Sequence, residues 1–311
     1  MRREKSTGAA LLVLLLVLAF AAPEFFRLSN LRELLVNNAA MLVVAIGMTL
    51  VILAGHIDIS IGSQFAIASV MTGVLAKEGL PMPAAAMGGV ITGGLLGSIN
   101  GVLVAGLGIP SIVVTLATMI GLRNGLRWVT EGRWVQDLPA SFQWAGLGQT
   151  GGEALILFVA IAVFAAFAWA SVNLQAMRLL YATGSNPEAA RLAGIRPPRV
   201  FFAVFVSMGM LTGLAAVLNA MRFSEVQGNA GVGLEMQAIA AVVVGGASIT
   251  GGRATMIGTL LGVLLLAVIG PALTFAGVSA FWEKAIQGSI ILAAVLMDAR
   301  GPRRVHVAAT P

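Results

Sequence analysis

Apolar residues in this chain fall into long, nearly unbroken runs, and polar residues gather in the gaps between them. In the first half the runs cover 8–22, 38–54, 60–76, 84–107 and 110–128, and in the second 152–172, 199–220, 235–250, 254–272 and 282–297. Most approach the roughly 20 residues a helix needs to cross a hydrocarbon core about 30 Å thick. Backbone amides in lipid must be paired inside the protein, which leaves helices or a closed barrel. The runs lack the alternation of barrel strands, so the pattern predicts an all-α integral membrane protein with about ten transmembrane helices. The whole chain, 1–311, is expected to form a single transmembrane domain. Its two longest connections, at about 128–152 and 173–198, are predicted on opposite faces, and neither is large enough to fold alone.

Composition agrees: 58% of the 311 residues are hydrophobic and 10% charged, where soluble domains carry about 25% charged residues. The chain has no cysteine, which excludes disulfides, thiolate catalysis and cysteine-ligated metals. A net charge of +6 does not indicate nucleic acid, because the basic residues sit at the ends of apolar runs rather than in one patch. With both termini placed in the cytoplasm, the inner segments hold Arg2, Arg3, Lys5, Arg178, Arg191, Arg196, Arg199, Arg253, Arg300, Arg303 and Arg304 and net +7, against −1 outside. That is the bias of the positive-inside rule. Trp128, Trp134, Trp144 and Trp282 fall near the outer boundary. The first run, preceded by Arg2, Arg3 and Lys5 and ending in Ala19-Phe20-Ala21, reads as a retained helix or as a cleavable signal peptide.

Three groups of residues carry candidate function. Gly89, Gly93, Gly97 and Gly101 recur every fourth position, and Gly258 and Gly262 do the same later; such stripes let helix backbones approach closely, or leave room for a solute groove. The segment GHIDISIGS, 55–63, interrupts two apolar runs with His56, Asp58 and Ser60. A carboxylate at membrane depth is costly and functional by default, although Asp58 or Ser60 also suits the start of the next helix as a cap. The segment GSNPEAARLAGI, 184–195, describes a short capped helix: Asn186 or Ser185 at the N-cap, Pro187 in the first turn, Glu188 at the positive end of the dipole, Ala189, Ala190 and Arg191 in the body, and Gly194 as terminator. It fits a stiff cytoplasmic lever or an interfacial loop. No Gly-x-x-x-x-Gly-Lys-Ser/Thr loop is present, so a phosphate-loop ATP site is not expected in this chain.

Taken together, GHIDISIGS, INGVLVAGLGIPSIVVTLATM at 99–119, GSNPEAARLAGI and VVVGGASITGGR at 242–253 resemble, in order, four segments of the permeases of ribose-type sugar importers in the ATP-binding-cassette superfamily. His56 departs from the glycine usual at that position. Branched-chain amino-acid permeases are similar in the third and fourth segments, but usually lack the Asp-x-Ser-x-Gly-Ser pattern seen at Asp58, Ser60, Gly62 and Ser63. The stretch 133–144 is similar to rhamnose and autoinducer-2 permeases. The resemblance implies a non-catalytic subunit of the bacterial inner membrane, with the helix at 184–195 coupling it to a cassette ATPase that holds ATP and magnesium. It also implies a second permease copy or paralogue and a periplasmic solute-binding protein, met by outer segments that include Arg123, Arg127 and Arg133. Asn100, Thr115, Thr118 and Asn124 are the uncharged polar candidates for solute contact, with Asp58 and Ser60 toward the inner mouth. Each also fits an ordinary interhelical hydrogen bond. A gradient-driven carrier or channel is the first competing class, and would need no docking helix; an intramembrane enzyme is the second, and the His-Glu-x-x-His, Gly-x-Gly-Asp and Gly-x-Ser-Gly motifs it would use are absent from the sequence.

Overall fold

A computed structural model describes residues 2–275 without a break, together with Gly277, Trp282, Ala285, Gly288 and Ser289. The last predicted run, 282–297, and the basic tail beyond it otherwise lie outside the described residues. Among those described the elements are helical, with one isolated bridge between Val135 and Val226. In chain order they are α1 (Arg2–Ala21), α2 (Leu28–Leu53), α3 (Ile61–Lys77), α4 (Met82–Gly101), α5 (Ser111–Thr130), α6 (Gly148–Asn173), α7 (Gln175–Ser185), α8 (Pro187–Leu192), α9 (Pro197–Ala220), α10 (Leu234–Val244) and α11 (Met256–Phe275). A single π turn, Val102–Gly106, extends α4, and Leu107 N donates to Val102 O at 3.2 Å to close it.

Six of these helices are long and apolar enough to cross a membrane: α1, α2, α4 with its π turn, α6, α9 and α11. α3 and α10 are apolar but shorter. α10 holds 11 residues, about 16 Å at 1.5 Å per residue, roughly half the hydrocarbon thickness. The run 235–250 is therefore less than one helical crossing. Its second half leaves the helix at Gly245, and the positive φ of Gly246 turns the chain.

α2 is the central post, 72% buried along its apolar window and packed against α9, α6, α11 and α10. α6 is peripheral, 11% buried, with Phe158, Ile161, Trp169 and Val172 turned outward. An apolar outer helix of this kind is what a lipid surface demands and water penalises.

The connections sort to two ends of the bundle. One end gathers the start of α1, the end of α2, α7 and the segment before α11: Gly252 N donates to Leu53 O at 2.9 Å, Tyr181 OH to Ala254 O at 2.9 Å, and Thr255 Oγ1 to Glu4 Oε1 at 2.5 Å. The other end gathers the α3–α4, α5–α6 and α9–α10 connections, where Lys77 Nζ donates to Gln136 O at 3.0 Å and Val135 pairs with Val226.

Both glycine stripes lie in helix seams. α4 and α9 run antiparallel with their backbones in contact, so a methyl on Gly93 would strike the Gly209 carbonyl, and one on Gly97 the Phe205 carbonyl. Gly89 faces Thr72 and Val217, and Gly101 faces Phe202. The answering glycines on α9, Gly209 and Gly213, were not singled out in the sequence. In the second seam Gly258 and Gly262 of α11 meet the Gly245 and Ala241 carbonyls.

Candidate functional site

The segment between α2 and α3 turns back into the bundle and carries the polar residues with it. Gly55, at φ 81°, permits the reversal, and Asp58, Ser60 and Ser63 are fully buried. Asp58 Oδ1 accepts from Ser60 N at 2.9 Å and from Ser60 Oγ at 2.6 Å, an Asx turn that leads into α3. The formal N-cap of α3 is Ser60, whose side chain does not cap; its hydroxyl is committed to Asp58. Gln64, one turn into α3, donates through Nε2 to Ser60 Oγ at 2.7 Å and Asp58 Oδ2 at 3.3 Å. From α4, Asn100 Nδ2 reaches the same Ser60 hydroxyl at 2.8 Å. Three of the sequence candidates, Asp58, Ser60 and Asn100, thus meet in one buried network.

Gln64 belongs to this network and was missed. Its position one turn beyond Ser60, on the same helical face, is the signal that would have found it. The carbonyl oxygens of Gln64 and Asn100 are buried without a hydrogen-bond partner, so the network has acceptor capacity left over. Ser63 Oγ donates to Met119 O of α5 at 2.8 Å, which ties the network's edge to that helix.

The three remaining candidates sit apart on α5. Thr115 is buried and donates to Ser111 O at 2.8 Å and to Ile57 O at 3.4 Å; Thr118 donates to Thr115 O at 3.2 Å. Asn124 is exposed and donates to Ile120 O at 2.9 Å. All three donate to backbone carbonyls, two of them only to their own helix. His56 packs edge-on to Phe201, with ring centres 4.4 Å apart, and no group of three His, Cys, Asp or Glu residues able to hold a metal occurs among the described residues.

Above the network, toward the other end, two charged residues converge on Gly62. A methyl at Gly62 would lie 2.5 Å from Glu235 Oε2 of α10 and 3.2 Å from Arg123 Nη2 of α5. Arg123 Nη1 donates to Ala230 O at 3.0 Å, while Glu235 Oε2 is buried without a hydrogen-bond partner. Arg123 is therefore a half-buried residue within α5 and not part of an outer segment, where it was expected together with Arg127 and Arg133; an arginine near a run's end reads as a boundary residue.

At the opposite end α8 has the local structure its sequence dictates. Asn186 Oδ1 accepts from Glu188 N at 3.1 Å and Ala189 N at 3.0 Å, and Pro187 occupies the first turn. Termination is a Schellman motif: Ile195 N donates to Ala190 O and Gly194 N to Arg191 O, both at 3.0 Å, with Gly194 at φ 83°. Glu188 and Arg191 form an exposed pair at 2.6 Å, and that hydrogen bond, with the carboxylate's charge, raises the guanidinium's pKa further. Leu192 projects from the helix 81% exposed, while Ala190 beneath is buried.

Such a chain spends polar groups on a buried network and presents a short, capped, projecting helix. Residues 30–295 match the family described as the branched-chain amino acid transport system / permease component. The chain belongs to this permease family. Among its relatives, the ribose import permease protein RbsC of Escherichia coli K12 is 33% identical over 299 residues, covering 95% of this chain and 93% of that protein. The autoinducer 2 import system permease protein LsrC of Escherichia coli O157:H7 is 34% identical over 300 residues, covering 96% of this chain and 87% of that one. No solved structure matches the chain. Family membership and the apolar helices together make it a multi-pass membrane transport protein.

Proposed function

We propose that this permease is the membrane-spanning subunit of an ATP-driven importer that moves a sugar or sugar-like solute into the cytoplasm of a bacterial cell, across the inner membrane. The observation that carries the reading is α8: a six-residue helix, capped at both ends, that stands out from the bundle with Leu192 and the Glu188–Arg191 pair exposed. A stiff projection supported from beneath by buried Ala190 suits transmission of a partner's movement, and a gradient-driven carrier has no need of one. Asn186, Pro187, Glu188, Ala189, Ala190, Arg191 and Gly194 form this coupling element. ATP and magnesium reside on cassette ATPase subunits docked against it. Both termini then lie in the cytoplasm, and Arg178, Arg191, Arg196, Arg199 and Arg253 share that side.

A second permease, a copy or a paralogue, completes the pathway against α5. The outward stripe Ile112, Leu116, Ile120, Asn124 and Trp128 of that helix is exposed, and a methyl added at Gly121 or Gly125 beside it would meet no neighbouring group within 4 Å. A periplasmic solute-binding protein delivers solute at the opposite end. Sugar is favoured over a branched-chain amino acid because the two relatives named are import permeases for ribose and autoinducer 2, and the buried network offers amides and hydroxyls suited to an uncharged polyol. About ten crossings remain the expectation once 276–311 is included.

The test is reconstitution with the ATPase and binding protein that pair with this permease. ATP-dependent uptake is expected, and Ala190→Pro should abolish both uptake and ATPase assembly while the chain still inserts. Uptake that survives Ala190→Pro, or that proceeds without ATP, overturns the reading.

A further inference from the structure

The end of the bundle opposite α8 contains a cavity of about 200 Å³, room for several waters. It is partly enclosed, between α3, the last turn of α9 and the connection that follows. Its polar lining comes from Ser69, Asn219, Glu225 and Gln227, with Phe223, Ala230 and Gly231 among the rest of the wall. The side-chain amides of Asn219 and Gln227 make no hydrogen bond with the described residues. Glu225 accepts a single long bond through Oε2, from Gln136 Nε2 at 3.3 Å. Ser69 is buried, and its bond to Ala216 O is long, at 3.5 Å. Phe223 is about half exposed, with the Arg222 guanidinium over one face of its ring, 5.5 Å from the centroid, and the other face left for a ligand.

The chemistry of this lining is selective. Two unspent amides supply both donors and acceptors, a carboxylate accepts from adjacent hydroxyls, and an aromatic ring can cover the C–H surface of a small ring. Hydroxyl groups both donate and accept, so a polyol can satisfy all of these at once. An amino acid could offer its ammonium to Glu225, but its carboxylate would find no lysine or arginine in the wall to pair with. Behind the cavity, Ala230 and Gly231 form a shared partition: Arg123 bonds the Ala230 carbonyl from the far side, and the Gly231 carbonyl lies against Gly62. A solute seated here therefore stands one peptide layer from the Arg123–Glu235 pair and from the segment that carries Asp58.

We propose that this outer cavity is a receiving site for a small uncharged polyol, held by Asn219, Glu225 and Gln227 against Phe223 before it passes the Ala230–Gly231 partition. Its purpose rests on the importer reading, but binding itself requires neither ATP nor a partner chain, so the two can fail separately.

The absence of cysteine makes the experiment direct. Ala230→Cys places a thiol in the cavity wall while keeping every polar side chain, and Ala220→Cys, in the same wall, serves as a second reporter should the first fold poorly. The purified permease in lipid nanodiscs is labelled with a small charged methanethiosulfonate, in the presence of D-ribose, L-rhamnose, D-xylose, D-galactose, myo-inositol or L-leucine. At least one polyol should slow labelling severalfold, L-leucine should not, and a cysteine at exposed Asp137 on the same face should be unaffected. Phe223→Ala should raise the half-protecting concentration about tenfold. Absence of protection by every polyol, equal protection by L-leucine, or equal protection of the Asp137 site overturns the proposal. Uptake that is ATP-dependent without cavity protection removes the cavity alone; protection with ATP-independent uptake leaves the cavity and removes the importer.

Discussion

At Gly93 and Gly209 the missing side chain is what permits contact, because each would drive a methyl into the other's backbone carbonyl. Backbone cannot yield as a side chain can, so Gly93→Ala and Gly209→Ala are each expected to cost about 1–3 kcal/mol, read as a lowered midpoint in detergent denaturation. Gly121→Ala on α5 meets nothing within 4 Å, and should be neutral or slightly stabilising in the isolated chain through helix propensity. A Gly121→Ala variant as destabilised as Gly93→Ala would contradict the packing described. The Asp58 carboxylate takes three donors, from Ser60 N, Ser60 Oγ and Gln64 Nε2. Asp58→Ala leaves the Ser60 amide and hydroxyl buried without their acceptor and Gln64 with one bond fewer, an expected loss of about 1–3 kcal/mol, whereas Asp58→Asn keeps one acceptor oxygen and should lose less. Equal loss in the two variants would mean that the acceptors do not matter. The polar candidates were legible in the sequence as residue types at membrane depth, but their partners were not. Gln64 shares a helical face with Ser60 in the sequence, but only folding shows that it and Asn100 converge on one hydroxyl from two helices.

Elements were easier to read than their limits. The start of α2 was placed at 38, yet the helix begins at Leu28, because its first turns carry Asn30, Arg32, Glu33 and Asn37 and so fall outside any apolar run. Arg32 there is paired with Glu153 of α6, an interaction between distant segments that no local pattern contains. α7 was missed for a similar reason: its apolar residues occupy one face only, and Met177 and Leu180 are buried while Arg178 is not. α8 was legible down to its cap, since Asn186, Pro187, Glu188 and Gly194 act through contacts a few residues away. Asn186→Ala should therefore raise hydrogen exchange at the Glu188 and Ala189 amides and weaken the helix by about 1 kcal/mol, while Asn186→Ser should restore most of it. Unchanged exchange in the alanine variant would show that the cap contributes nothing.

Over the whole molecule, the two groups of connections make sidedness a measurable property. Single cysteines at Arg191 and Asp137, both exposed and at opposite ends, should be modified from opposite sides of a sealed vesicle, with Arg191 reached only from the cytoplasmic side. Modification of both from one side would refute the proposed insertion. The seam between α4 and α9 has a mechanical consequence. Two backbones in direct touch along several turns leave no compliant layer between them, so these helices are expected to travel as a single raft whatever drives the cycle. α5 is tethered mainly to α3 and is bare on its far flank, so it is expected to shift against that raft before any helix of the seam does.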